Sequence, residues 1–169
     1  MHRRTLRTAA AASAGALLLP ACGFRLRGAP QFGFRSLYIQ AHAGQALARE
    51  LTRSLQDTPN LRLITDPAQQ PQAEALLELL SENRERVVVG LSSAGQVREL
   101  QLRLGLRFRL RGAQGQELIA ETLLQQQRDI SYNEALALSK EDEEQMLMRN
   151  MQTDLVQQLL RRLAAVKPQ

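Results

Sequence analysis

The sequence predicts a two-layer α+β fold, in which two helices cover one face of a mainly antiparallel sheet. Residues 97–111 alternate strictly between apolar and polar side chains, which is the pattern of a half-buried strand. Residues 45–56 and 140–165 instead repeat their apolar side chains at helical spacing. With 169 residues, of which 44% are hydrophobic, the chain has the length and the apolar content of one packed domain.

The first elements are short. Residues 34–40 contain Leu-Tyr-Ile and predict a strand. Residues 45–56 predict a helix, because leucines recur every fourth position at Leu47, Leu51 and Leu55. Residues 61–65 predict a second short strand that ends at an Asp-Pro pair.

Residues 73–86 fit two structures. Their apolar side chains match helical spacing, and local propensity favours a helix. The same side chains also fit one face of a strand, and Val87–Val89 strongly favour a strand. The residues alone favour a helix followed by a strand.

The clearest element is the strand over residues 97–111. Its even positions from 100 to 110 are leucines and one phenylalanine, and its odd positions include Arg103, Arg107, Arg109 and Arg111. A Gly-Ala-Gln-Gly turn at 112–115 then leads to a returning strand over 117–130. Helices packed on the leucine face would leave the arginines on the opposite face of the sheet.

The last helix is predicted over residues 140–165, with a capping sequence that starts at Ser139. Ser139 followed by Lys-Glu-Asp resembles an N-terminal capping sequence with acids in the first turn. A stripe of apolar side chains then continues to residue 163.

Residues 1–21 are predicted to be a secretory signal peptide. Three arginines precede an apolar stretch over residues 8–19, which is too short to span a bilayer as a helix. Leu19-Pro20-Ala21-Cys22 resembles a lipobox, so Cys22 is predicted to carry an S-diacylglyceryl and an N-acyl chain, enough for stable anchoring. An ordinary cleaved signal and a twin-arginine signal are the alternatives.

Composition excludes several functions. The net charge of +5 includes Arg3, Arg4 and Arg7 of the leader, and aromatics are only 4%, so we expect no nucleic-acid partner. Cys22 is the one cysteine, and the two histidines are too few for a multi-histidine metal site. No nucleophile has a neighbouring base, so the chain is not expected to be an enzyme, and no cofactor beyond the lipid on Cys22 is expected.

Residues 22–28 and 128–133 resemble the LptE family of lipopolysaccharide-assembly lipoproteins. Residues 137–141 and the final helix also resemble that family. The resemblance implies a four-stranded sheet backed by two helices, with residues 73–89 as one long strand. It also implies an outer-membrane lipoprotein that faces the periplasm, plugs the LptD β-barrel, assists its assembly and binds lipopolysaccharide.

On this interpretation the chain divides into a signal peptide (1–21), an anchor and lead-in segment (22–33) and a single α+β domain (34–169). Phe24, Leu26 and Arg27 are candidate contacts with the barrel. The alternative function is a periplasm-facing interaction lipoprotein that binds no glycolipid.

Seven cations are candidate contacts for lipopolysaccharide phosphates and acidic sugars. Guanidinium groups bind phosphate in a bidentate manner, and alternate residues of a strand lie roughly 6 to 7 Å apart on one face. The candidates are Arg103, Arg107, Arg109 and Arg111 on the strand, with Arg98, Arg128 and Lys140 outside that group. The alternatives are a solvated face, arginines paired with glutamates such as Glu117 and Glu121, or a face that lines the inside wall of the barrel. Arg107→Glu with Arg109→Glu is expected to weaken lipopolysaccharide binding without unfolding the domain.

Overall fold

The computed structural model describes residues 31–42, 45–133, 135 and 137–167. A five-stranded sheet is formed by β1 (Ser36–Gln40), β2 (Arg62–Ile64), β3 (Ala75–Leu91), β4 (Val97–Gly112) and β5 (Glu117–Ser131). The strand order is β2-β1-β3-β4-β5. Helix α1 (Ala46–Gln56) connects β1 to β2, a 3₁₀ helix (Pro67–Gln72) precedes β3, and α2 (Ala137–Ala164) follows β5.

The α+β class is confirmed, but the sheet is mixed and has five strands rather than four. β1 is parallel to both β2 and β3, whereas β3, β4 and β5 form an antiparallel meander. The parallel pairing follows from α1, because two neighbouring strands connected through a helix run in the same direction. The fifth strand, β2, is the three-residue edge of the sheet.

Two local predictions were wrong. The helix favoured by the residues over 73–86 is part of β3, as the family resemblance implied, because β3 pairs with β4 along nearly its whole length. Cross-strand pairing and burial outweigh the modest helix propensity of this segment. Helix α2 begins at Ala137, so Ser139 lies within the helix and does not cap it.

The core lies between the sheet and the two helices. The even-numbered side chains of β4 from Leu100 to Leu110 are at most 3% exposed, which confirms the predicted alternation. They pack with the three leucines of α1 and with the α2 residues Met151, Leu155 and Leu159. The helices therefore cover one sheet face, and the opposite face, called the open face below, carries the odd-numbered side chains of β4.

The turn between α1 and β2 contains a strained residue. Asn60 has a φ of 63°, in the left-handed region that β-branched side chains strongly disfavour. We expect Asn60→Val to lower the free energy of unfolding by about 1 to 2 kcal/mol, and Asn60→Gly to leave it nearly unchanged. Urea denaturation of both variants tests this, and equal midpoints for the valine variant and the parent would contradict it.

Candidate functional site

The four arginines of β4 lie side by side on the open face, as predicted. Arg103 and Arg107 have side chains that are 45% and 50% exposed. Arg109 and Arg111, nearer the end of the strand, are 29% and 38% exposed. Every one of them faces a carboxylate on a neighbouring strand.

Glu78 on β3 binds two of these arginines. Arg109 donates from Nε and Nη2 to its two carboxylate oxygens, the Nη2 contact being 2.8 Å. Arg111 Nε lies 3.2 Å from the same carboxylate. The hydrogen bond from Arg109 is the main reason that the pKa of Glu78 lies below its ordinary value, with both arginine charges adding to it against the effect of burial. The same hydrogen bond raises the pKa of Arg109.

The other two arginines are held less tightly. Arg107 Nη1 lies 2.7 Å from Glu121 on β5, which confirms one of the glutamate partners considered from the sequence. Glu117 is opposite Arg111 in the backbone register, but the ion pair of Arg111 is with Glu78. Arg103 donates from Nε to Gln101 and lies 3.9 Å from Glu85.

This pairing changes what a charge reversal would do. A glutamate at position 109 would face the Glu78 carboxylate, and like charges at that distance destabilise the fold. The sequence-based expectation that Arg107→Glu with Arg109→Glu leaves the domain folded therefore conflicts with the geometry. Glu78 itself was missed, because a helix was expected over the segment that contains it.

The remaining three candidate cations lie around the far end of the meander or along α2. Lys140 Nζ contacts Glu143 at 2.7 Å and Ser131 at 3.2 Å. Arg128 is 3.2 Å from Asp154 on α2. Arg98 lies beside the end of β5, since its carbonyl accepts from the Tyr132 amide, and its guanidinium contacts the Gln96 side chain at 3.5 Å.

Six of the seven candidate cations thus have a carboxylate within 4.0 Å. Within the described part of the chain, Arg98 is the candidate with no such ion pair. It also borders a depression of about 660 Å³, lined by Gln96, Val97, Arg98, Tyr132, Asn133 and Ala135.

The hairpin between β3 and β4 is apolar and exposed at its end. Residues 87–97, called the hairpin tip below, contain no charged side chain. Val88, Val89 and Leu91 are 49%, 46% and 63% exposed, although side chains of this type are usually buried. Leu138 on the first turn of α2 is 81% exposed. The start of α2 lies beside this end of the sheet, because Lys140 contacts Ser131 at the end of β5. Arg98 directly follows the hairpin tip.

Cys22, Phe24, Leu26 and Arg27 lie outside the described residues. No helix in the described ranges is both long enough and apolar enough to cross a bilayer. Within the same ranges, no group of His, Cys, Asp and Glu side chains has the arrangement of a metal site.

The structure is a small α+β domain with a charge-paired sheet face and an apolar hairpin tip. Residues 34–163 match the LptE family, described as lipopolysaccharide-assembly, and the chain belongs to that family. The family is one of outer-membrane-associated, non-enzymatic lipoproteins.

Three solved structures share this fold. The chain is similar to an uncharacterized lipoprotein B from Nitrosomonas europaea, with 33% identity, a TM-score of 0.71, and coverage of 85% of this chain and 91% of that one. The rare lipoprotein B from Shewanella oneidensis has 22% identity, a TM-score of 0.64, and coverage of 77% and 94%. A minor lipoprotein from Acinetobacter baumannii has 22% identity, a TM-score of 0.61, and coverage of 78% and 92%. No curated protein shows significant similarity to the chain.

Proposed function

We propose that this protein is an outer-membrane lipoprotein, anchored on the periplasmic side through acyl chains on Cys22. It occupies the lumen of an LptD-like barrel, assists the assembly of that barrel and binds lipopolysaccharide for delivery to the outer leaflet. Membership of a lipopolysaccharide-assembly family supports this role, and the lipobox-like sequence that ends at Cys22 supports the anchor.

We infer that lipopolysaccharide binds at Arg98 and the adjacent hairpin tip. The glycolipid combines phosphates with acyl chains, so its binding surface needs free cations next to exposed apolar side chains. Arg98 supplies a guanidinium that has no carboxylate partner among the described residues, and Val88, Leu91 and Leu138 supply apolar contacts. Lys140 and Arg128 are weaker candidates for phosphate binding, because an incoming phosphate has to compete with Glu143 and Asp154.

The barrel partner is tested by recovery of the tagged full-length protein from detergent-solubilised outer membranes, followed by mass spectrometry. We expect a large barrel protein in stoichiometric amount. Recovery of the lipoprotein alone would overturn the barrel assignment and favour the periplasm-facing interaction lipoprotein that binds no glycolipid.

The anchor is tested separately with Cys22→Ser. A serine hydroxyl cannot form the thioether, so we expect this variant to lose incorporation of radiolabelled palmitate and to leave the membrane fraction. Ser92→Ala serves as the control, since it leaves the leader intact. Membrane retention with full labelling of the Cys22→Ser protein would contradict the lipid anchor.

A further inference from the structure

The centre of the open face is a depression with a glycine at its floor. Three residues in register across three strands form its middle row: Asn83 on β3, Gly105 on β4 and Gln125 on β5. The rows on either side carry long side chains, with Arg107 on one side and Arg103 on the other. The missing side chain at Gly105 leaves a space of about 260 Å³ among them.

The fold does not require glycine at this position. Gly95 and Gly115 have positive φ values, whereas Gly105 lies within strand β4 and does not. A Cβ atom at Gly105 would make only ordinary contacts, with Leu123 at 3.7 Å and Gln125 at 3.8 Å. Glycine within a strand weakens it and often marks a close approach by a ligand. The role of glycine at position 105 is therefore to keep this space open.

The walls of the depression combine charge with hydrogen-bonding groups. Asn83 donates to Glu85 at 2.8 Å, which fixes the orientation of both side chains. Arg103 is the least tightly paired arginine of the face, because its carboxylate partner is 3.9 Å away. Leu123, which is 47% exposed, gives one wall an apolar surface. Amides and carboxylates of this kind bind sugar hydroxyls, and arginine binds an acidic substituent.

We propose that this depression binds one acidic sugar residue. Its acidic group would contact Arg103, and its hydroxyls would contact Asn83, Gln125 and Glu85. The volume is below the roughly 300 to 1,000 Å³ of sites for drug-sized ligands, so it suits a single ring and excludes a whole glycolipid. The proposal depends on the open face alone, and it stands whether or not the hairpin tip binds lipopolysaccharide.

Saturation-transfer difference NMR on the full-length protein in detergent tests this site. The probes are 3-deoxy-D-manno-octulosonic acid and D-glucuronic acid, with D-glucose as the neutral control. We expect signals from both acids, a weaker signal from glucose, and affinity for the acids about tenfold lower in Arg103→Gln.

Gly105→Val fills the depression and is expected to abolish the signal. Its melting temperature should be unchanged or higher, because valine favours strands and the added Cβ has room. Ala120→Val, a matched addition on exposed β5, should bind like the parent. Unchanged binding in a folded Gly105→Val protein, or equal binding of glucose and the acids, would overturn the proposal.

Competition identifies the source of the sugar. The free acid is added to the protein with purified lipopolysaccharide bound. If the acid releases a fraction of the bound lipopolysaccharide from the parent protein but not from Gly105→Val, the depression binds a sugar of the glycolipid. If the acid binds at Gly105 without affecting lipopolysaccharide, the site is still an acidic-sugar site, and its ligand belongs to another glycan. A failure of the hairpin-tip assignment would leave both of these results unchanged.

Discussion

Glu78→Gln is expected to unfold with a free energy about 1 to 3 kcal/mol smaller than that of the parent protein at neutral pH. Glu78 is 9% exposed and neutralises Arg109 and Arg111 together. Glutamine keeps the size of the side chain but removes the charge, so Arg109 and Arg111 lose the carboxylate that they share. Urea denaturation followed by circular dichroism measures the difference.

The same contact predicts a pH dependence. The pKa of Glu78 in the folded protein lies below its ordinary value of 4.5, so the unfolded chain binds the proton more readily. The stabilisation is therefore complete above about pH 4.5 and is lost as the pH falls through the folded-state pKa. We expect the difference between the parent and Glu78→Gln to be largest near neutral pH and to shrink in acid.

Glu85→Gln is the matched control. It makes the same change seven residues further along β3, but Glu85 is 3.9 Å from Arg103 and both side chains are about half exposed. Exposed pairs of this kind contribute little, so we expect a change of less than about 1 kcal/mol. Equal losses for the two variants, or a Glu78 effect that is constant with pH, would contradict the assigned role of Glu78.

Arg98→Gln is expected to weaken lipopolysaccharide binding by about tenfold to a hundredfold, because a hydrogen bond to a charged group is lost. Among the residues that the structure describes, no carboxylate pairs with Arg98, so its guanidinium can meet a phosphate without first leaving such a partner. Little effect on stability is expected, since the side chain is exposed. Binding of purified lipopolysaccharide to the full-length protein, immobilised in detergent, gives the affinity.

Arg107→Gln distinguishes the hairpin tip from the open face. This arginine is also exposed but is engaged by Glu121 at 2.7 Å, so we expect its loss to change lipopolysaccharide affinity by less than about threefold. A large loss in Arg107→Gln with none in Arg98→Gln would place the glycolipid on the open face instead. That result would favour the arginine face expected from the sequence.

The local pattern of the chain was enough to predict most of the elements. Strict alternation over 97–111 determined which side chains of β4 enter the core, because successive side chains of a strand point to opposite faces. The leucines of α1 and the stripe of α2 determined which helix faces pack on them. The motifs around Cys22 and 128–133 determined the family, which the match over 34–163 confirmed.

Only the tertiary structure decided which charged side chains form ion pairs and where the surface forms a depression. Whether Arg109 is free depends on Glu78, which is 31 residues away in sequence and next to it across the sheet. The segment of Glu78 becomes a strand because β4 pairs with it, not because its own propensity favours that structure. The depression at Gly105 likewise requires three strands in register. Ion pairs and cavities arise between segments distant in the chain, and a single sequence records neither their register nor their distance.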